Sequence, residues 1–525
     1  MSSMRTERKR DTKNGVKRLV FVALAVAIQI FWIYVLLRWL NTYSTWADML
    51  LRFVVLVLVL YIYGRHSNSA LKMPWLLLMM AAPLLGSILY LLMGRPDTTK
   101  GMQKRFEDID RMLMPLLSQQ DDVLAEIEEK DRNIAGISKY LWNFAGFPVY
   151  HDSNATYYKD AADAIRAQIE DLKKAKKFIF MEYHAIEDKE SFAPIKEILY
   201  EKAMQGLDVR LFYDDVGSIG FLDGTFIRKM DELGIKTRVF NPVVPFVKMF
   251  MNNRDHRKIT VIDGEVAYTG GYNLANEYFH LTQPYGYWKD DGIRLEGGCV
   301  ASFTVMFLEM WNAISATDRD DKDFNRFFPK PLGAAGRGVP AENTGYIQPY
   351  ADSPMDEEHT GENVYMNILN RATDYCYFIT PYLIITDEMY KAFTLAAKRG
   401  VDVRIITPGI PDKRITYSIT RSYYAELARG GVRIFEYTPG FCHAKLCVSD
   451  DKVATCGSIN LDYRSLFHHF ENGVFLYDNK AVADIRKDFD SMFPQCEEVT
   501  VRYRDSRKVI YRIFQCLLRL IAPLM

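Results

Sequence analysis

Three long apolar runs open the chain. Leu19 to Leu37 is interrupted only by Gln29, Trp46 to Tyr63 carries Asp48 and Arg52, and Pro74 to Met93 follows. Runs near 20 residues are long enough to cross a bilayer core of roughly 30 Å. Trp32, Trp39, Trp46, Tyr61, Tyr63, Trp75 and Tyr90 fall mostly near the run ends, where interfacial aromatics belong. Basic residues precede the first run but no small-residue cleavage signal follows it, so it reads as an anchor rather than a removed leader. Residues 1–95 are expected to form a membrane anchor of two or three transmembrane helices, and the charged, helically spaced stretch 96–148 a membrane-proximal connector. From there strand and helix patterns alternate. Phe178 to Tyr183, Val209 to Tyr213, Thr237 to Phe240 and Ile259 to Ile262 predict strands, as do Tyr377 to Ile379, Val403 to Ile406, Val432 to Tyr437 and Leu446 to Val448. Ala161 to Leu172 and Met389 to Arg399 predict helices between them. This alternation predicts an α/β sandwich in each of two halves, 149–329 and 343–525, joined by a Gly/Pro-rich linker at 330–342. The C-terminal stretch interleaves Arg507, Lys508, Arg512 and Arg519 with apolar residues, a basic amphipathic helix suited to an anionic lipid surface or to packing on the core.

Within the strand pattern one rare spacing occurs twice. H-x-K-x-x-x-x-D runs through His256, Lys258 and Asp263, and again through His443, Lys445 and Asp450. Each copy is followed by a small-residue turn and an asparagine, GGYN ending at Asn273 and GSIN ending at Asn460. Both features are offset by 187 residues (256 to 443, 270 to 457). HRKITVI and HAKLCV alternate polar and apolar residues, so each predicts a half-buried strand on which His and Lys share a face. If the copies face each other, two imidazoles and two ammonium groups converge on one pocket. Such a pocket suits a phosphate, because lysines supply charge and asparagines and backbone amides supply directed donors. An imidazole with a reference pKa of roughly 6.5 attacks phosphorus or moves a proton near neutral pH. Asp263 and Asp450 stand where the strands turn, better placed to fix the motif loops than to touch substrate.

Composition narrows the class. The 525 residues have room for two or three domains, and the formal net charge is zero, which weighs against nonspecific nucleic-acid binding. The seven cysteines form no CxxC pair, so neither a disulfide framework nor a zinc site is expected, and a reducing compartment fits best. Orientation signals conflict. The basic N-terminus belongs inside, the basic residues Arg65 and Lys72 suit three spans, yet Arg95, Lys100, Lys104 and Arg105 favour the inside after the third run. Pro83 and Gly86 allow the third run to kink or re-enter, which places the catalytic part on the cytoplasmic side of a multi-pass cell-membrane protein.

These segments resemble the phospholipase D superfamily and, within it, the bacterial cardiolipin synthases. The resemblance rests on FIFMEYH, RDHRKITVIDG, TGGYNLANEY and GYWKDD in the first half and on YFITPYL, GFCHAK, CGSINLDYRS and FENG in the second. It implies two pseudo-symmetric phospholipase D-like α/β sandwich halves after an N-terminal transmembrane helical region. The implied reaction transfers a phosphatidyl group between two phosphatidylglycerols through a phosphatidyl-histidine, giving cardiolipin and glycerol without metal or cofactor. Family precedent makes His256 the nucleophile and His443 the acid/base, a symmetry the sequence itself leaves unbroken. Lys258, Lys445, Asn273 and Asn460 would hold phosphate oxygens, and Ser458, replacing Gly271, would add a hydroxyl donor. Glu471 and Asp290 would hold the second ring nitrogens of the histidines. Tyr183, His184, Pro381 and Tyr382 sit at strand ends beside the pocket, with core packing an equal reading. The partners implied are phosphatidylglycerol and anionic membrane lipids, not nucleic acid. Hydrolysis to phosphatidic acid is the alternative outcome at the same site, with a membrane-tethered nuclease further off.

Overall fold

The computed structural model describes residues 45–65, 68–94, 100–242, 253–315, 318–320, 323–329 and 345–505, with scattered positions near both ends. The first apolar run and the basic C-terminal stretch therefore lie largely, and the linker at 330–342 wholly, outside the described residues.

Each half is built on one mixed sheet. The first comprises β1 (Ser153–Tyr158), β2 (Phe178–Tyr183), β3 (Asp208–Asp214), β4 (Lys236–Phe240), β6 (Lys258–Ile262), β7 (Val266–Gly270) and β9 (Gly292–Gly297), in the order β1-β9-β7-β6-β2-β3-β4. The short strands β5 (Arg254–Asp255) and β8 (Tyr287–Lys289) leave it for the other half. The second comprises β10 (Tyr346–Asp352), β11 (Tyr375–Ile379), β13 (Asp402–Pro408), β14 (Arg433–Tyr437), β16 (Leu446–Ser449), β17 (Val453–Gly457), β19 (His469–Tyr477) and β20 (Cys496–Glu498). Its order, β10-β19-β17-β16-β11-β13-β14-β20, repeats the first strand for strand and adds one edge. In both sheets three neighbouring strands run parallel and the remainder antiparallel. Two minor pairings complete the set, β12 (Leu383–Ile384) with β18 (Leu461–Asp462) and β15 (Gly440–Cys442) with β8.

The strands that follow the motif histidines are more enclosed than their alternation predicts. Every residue of β6 and β16 is buried, polar positions included. The polar face of β6 is satisfied rather than solvated, since Thr260 meets Gln168 and Tyr183. The apolar face packs under helix Val300–Ala313, all of whose residues are buried. One hydrophobic cluster runs through both halves, and it includes Phe106, Ile109, Val123, Ile127, Ile137 and Leu141 from the stretch 96–148. Phe106 stacks on Phe470 at 4.9 Å between ring centroids. The charged stretch is thus helical as expected, with its apolar face seated in the shared core.

At the N-terminal side the second run is helix Thr45–Tyr63, while the third is broken into Ser69–Ala81, Pro83–Leu89 and a wide turn at Tyr90–Gly94. Pro83 ends the first piece. Gly86 lets the second fold against it, because a Cβ there would lie 2.7 Å from the Met79 backbone. Among the described residues no helix is long and apolar enough to cross a membrane. The third run is therefore a folded-back hairpin, not one straight helix. Against the second run it buries Ile62, Trp75, Met79 and Tyr90 together, while Trp46, Leu50, Phe53, Leu60 and Tyr63 of the second run stay exposed.

Candidate active site

The two motif histidines sit where the chain crosses between halves. Arg254 and Asp255 pair with β19 of the second half before Lys258 joins its own sheet, and Gly440 to Cys442 pair with β8 of the first half before Leu446 does the same. His256 and His443 therefore precede the strands instead of lying on them. The His256 amide donates to the Phe470 carbonyl at 2.9 Å, and its Nδ1 lies 2.8 and 3.0 Å from the two oxygens of Glu471. The His443 amide donates to the Lys289 carbonyl at 2.7 Å, and its Nδ1 lies 2.8 Å from Asp290. Each imidazole is clamped, backbone and side chain, by a dipeptide of the opposite half. Glu471 and Asp290 hold equivalent places, each two residues before the glycine (Gly473, Gly292) that faces the motif turn glycine (Gly457, Gly270).

The equivalence continues beneath the rings. Asn472 Nδ2 donates to Thr269 at 2.8 Å, and in the mirrored position Cys456 meets Asp291 at 3.2 Å. Arg257, fully buried, donates to the Glu471 carbonyl at 3.2 Å and to Glu309 at 3.0 Å, a further tie between halves. One asymmetry explains the two turns. A Cβ on Gly271 would lie 2.0 Å from an Asp290 oxygen, so only glycine fits there. Ser458, its counterpart, directs its hydroxyl at Glu471 and not at an open pocket, which corrects its expected role as a phosphate donor.

Both lysines bring charge to the same space. The Nζ groups of Lys258 and Lys445 meet the carbonyls of His256 and His443. Lys445 Nζ also lies 2.8 Å from His443 Nδ1, competing with Asp290 for one nitrogen. With Lys445 cationic and donating to the carbonyl, the Nδ1 proton goes to Asp290. Burial, then Lys258, Lys445 and His443, holds His256 well below the ordinary imidazole value. Burial and then Lys445 push His443 down to about 4, against the upward pull of Asp290. Burial pulls Lys258 down to about 7, eased by Glu471 and reinforced by Lys445. The four buried groups thus act on one another's charge across a shared, poorly solvated space.

Other expected site residues have different duties. Asp263, at φ 56°, accepts the amides of Lys176, Lys177 and Phe178, and Asp450, at φ 55°, accepts those of Thr373, Asp374 and Tyr375. Both carboxylates are spent on clamping the start of a neighbouring strand. Asn273 is committed to the Ala185 amide and the Tyr278 hydroxyl, and the Tyr278 ring meets His443 edge-on at 5.3 Å. Asn460 keeps a buried Oδ1 without a hydrogen-bond partner. Tyr183 is core, bonded to Gln168 and Thr260, whereas His184 packs on His256 at 4.9 Å. Tyr382 bonds Asp412 and packs near Phe441, one residue past Pro381. Sequence reasoning missed Trp288, Phe441 and His469, which line the two imidazoles; their signal is spacing, two residues before Asp290, His443 and Glu471.

Among the described residues one group has metal-ligand spacing, His256, His469 and Glu471, with donor atoms within 4.8 Å of one another. Its wiring does not suit a cation. Arg464 Nε donates to His469 Nε2 at 3.1 Å, which places the proton of a neutral ring on Nδ1, and His256 Nδ1 spends its own on Glu471.

A family profile described as "Cardiolipin synthase, PLD-like domain" matches residues 168–311 and 365–493, so both histidines fall inside it. The chain belongs to this family. A second profile, "Phospholipase_D-nuclease N-terminal", covers residues 50–95, the exposed apolar helix and the hairpin. Cardiolipin synthase 2 of Bacillus anthracis is 30% identical over 89% of this chain and 89% of its own length. Cardiolipin synthase 1 of Staphylococcus aureus (strain COL) is 29% identical over 91% and 96%. An uncharacterized protein of Streptococcus mutans is 38% identical over 89% and 99%. Among solved structures, phosphatidylserine synthase of Haemophilus influenzae superposes with a TM-score of 0.52 over 70% of this chain and 93% of that one, at 16% identity, a likeness of fold.

Proposed function

We propose that the protein is a membrane-bound cardiolipin synthase that joins two phosphatidylglycerols and releases glycerol. The observation that carries this reading is the crossed pair of His–carboxylate contacts, His256 with Glu471 and His443 with Asp290. With both Nδ1 atoms so committed, each Nε2 is the nitrogen left to react. Nε2 of His256 attacks phosphorus, the bond to the departing glycerol oxygen breaks, and His443 delivers a proton to that oxygen. The terminal hydroxyl of a second phosphatidylglycerol then returns a proton to His443 and attacks the same phosphorus, displacing His256. Atoms balance without water or cofactor.

Burial and its cationic neighbours keep His256 unprotonated, as a nucleophile must be. Burial and Lys445 hold His443 down to about 4 in the empty site despite Asp290, so the negative charge of the bound phosphodiester would have to supply the protonated form an acid needs. Lys258 would regain full charge against the non-bridging oxygens beside cationic Lys445, and Asn460 would add contact to them. Tyr278, Trp288 and Phe441 wall His443 with rings, an enclosure that disfavours water as acceptor and so supports transfer over hydrolysis. The exposed apolar surface of Thr45–Tyr63, continued by the hairpin, supports insertion of residues 1–95 into the bilayer, and the unpaired cysteines among the described residues support a catalytic part on the reducing, cytoplasmic face.

The test is product analysis. Purified protein in detergent–phosphatidylglycerol micelles is expected to yield cardiolipin and glycerol in equal amounts; phosphatidic acid in their place would replace transfer with hydrolysis.

A further inference from the structure

The two motif lysines serve one phosphate, yet the proposed reaction brings two. The acceptor lipid carries its own phosphodiester, one glycerol away from the hydroxyl that attacks, and that second charge calls for a partner of its own. His443 is the base for this hydroxyl, so the partner belongs on the His443 side of the pocket. On that side the turn after β13 leads into helix Arg414–Arg429. The Ile410 amide donates to the Gly440 carbonyl at 3.2 Å, which ties this turn to the crossing strand three residues before His443. Tyr382 lies between turn and pocket. Its ring is 6.3 Å from that of Phe441, which packs on His443 at 5.9 Å, and its hydroxyl donates to Asp412 at 2.5 Å. Lys413 stands over the same ring, with Nζ 5.4 Å from the centroid and 3.4 Å from the hydroxyl. Asp412 is 3.8 Å from Nζ, beyond hydrogen-bond reach, so the exposed ammonium keeps N–H groups for another acceptor. Its charge reaches the pocket, since it helps to hold His256 unprotonated.

We infer that Lys413, seated over Tyr382, is a specificity-determining residue that binds the phosphate of the acceptor lipid at the mouth of the pocket. The inference rests on the reading of the protein as a phosphatidyltransferase with His443 as base. The surroundings of Lys413 suit a lipid. Ile410 and Ile415 expose apolar side chains on either side of exposed Lys413 and Arg414, a mixture of alkyl and basic groups that an anionic bilayer surface attracts. The ring beneath the ammonium is also one-sided. Leu383 pairs with Leu461 as Ile186 meets Leu274 in the first half, so the place of Tyr382 is taken there by Ala185. An acceptor whose glycerol ends in a phosphate is held with its hydroxyl toward His443. Water and free glycerol, having no phosphate, gain nothing from Lys413. The residue thereby favours an anionic lipid acceptor over a neutral one.

The test lets two acceptors compete for one intermediate. The full-length enzyme is given phosphatidylglycerol micelles together with labelled free glycerol, and initial rates are compared. Phosphatidylglycerol captures the phosphatidyl group as cardiolipin. Labelled glycerol captures it as labelled phosphatidylglycerol: its hydroxyl oxygen bonds to phosphorus, the bond to His256 breaks, and the hydroxyl proton passes to His443. Lys413→Gln is expected to lower the ratio of cardiolipin to labelled phosphatidylglycerol about fivefold, the worth of one exposed charge contact. Lys413→Arg, which keeps the charge, is expected to stay close to the wild-type ratio. An unchanged ratio in Lys413→Gln, whether both products persist or fall together, overturns the inference. So does a Lys413→Arg enzyme as impaired as Lys413→Gln. Wild-type enzyme that forms phosphatidic acid and neither of these products would instead remove the transferase reading, and this inference with it.

Discussion

At the scale of single residues the site is a set of paired obligations, and each pair makes its own prediction. Glu471→Gln keeps the shape of the carboxylate but cannot hold the His256 imidazolium, so kcat is expected to fall by about a thousandfold with fold and lipid binding intact. Asp263 is the opposite case. Its three backbone partners make Asp263→Asn a stability change, expected to cost about 2 kcal/mol in denaturant unfolding while the folded enzyme keeps its turnover. A large loss of kcat at unchanged stability would return Asp263 to the catalytic set. Lys258 links binding to pH. Its amine is pulled down to about 7, so above that pH the empty site loses a charge that a phosphodiester must restore. A water-soluble glycerol phosphodiester, whose own charge is constant between about pH 6 and 9, is expected to bind with proton uptake and to weaken above about pH 7. Calorimetry in buffers of different ionisation enthalpy measures that uptake; pH-independent affinity would contradict it. The motif residues were readable because their types and spacing are rare. The duty of Asp263 was half readable, since a turn position implies a loop role. Ser458 was misread, because its partner Glu471 lies 13 residues away on a strand whose register a local pattern does not report.

At the scale of elements, a crossing strand places each histidine. β5 and β15 are only two and three residues long, yet they carry the chain from one half to the other directly before each histidine. The alternating pattern correctly signals β6 and β16 but not this crossing, because two or three residues leave no periodicity to detect. It also implies a solvated face where, in β6, Gln168 and Tyr183 of the same half in fact lie; half-burial and burial against polar side chains look alike in a sequence. The motif turns show how tightly the elements meet. Gly271→Ala is expected to abolish activity by driving a methyl group into Asp290, whereas Ser458→Gly, which removes the hydroxymethyl group and adds no bulk, is expected to leave a partly active enzyme. Equal tolerance of the two changes would mean that Asp290 is not fixed as described.

At the scale of the whole molecule, catalytic body and apolar N-terminal region are one assembly. Ala70 and Leu71 of the hairpin pack beside Ile384, Ile419 and Tyr463, the last three residues beyond Asn460, and Asn68 donates to Glu388 at 3.2 Å. This contact sets the distance between the pocket and the surface that would enter the bilayer. Arg519 donates to Ser422 at 3.0 Å and Glu426 at 2.9 Å, so at that position the C-terminal segment packs on the second half and not on lipid. The repeated strand order was legible in the duplicated motifs, and the hairpin's return in Pro83 and Gly86 alone, since apolar content is identical whether a run crosses or folds back. Cys442 and Cys447 are buried, so sidedness is better probed by a cysteine placed at exposed Met204.

The central claim is that two imidazoles from opposite halves act in turn on one phosphodiester. Rapid acid quench of the enzyme with phosphatidylglycerol labelled at phosphorus, followed by peptide mapping, tests it most directly. The account requires label on His256, persisting in His443→Ala when glycerol is made a better leaving group. Label on His443, or no covalent species at any time point, would contradict it.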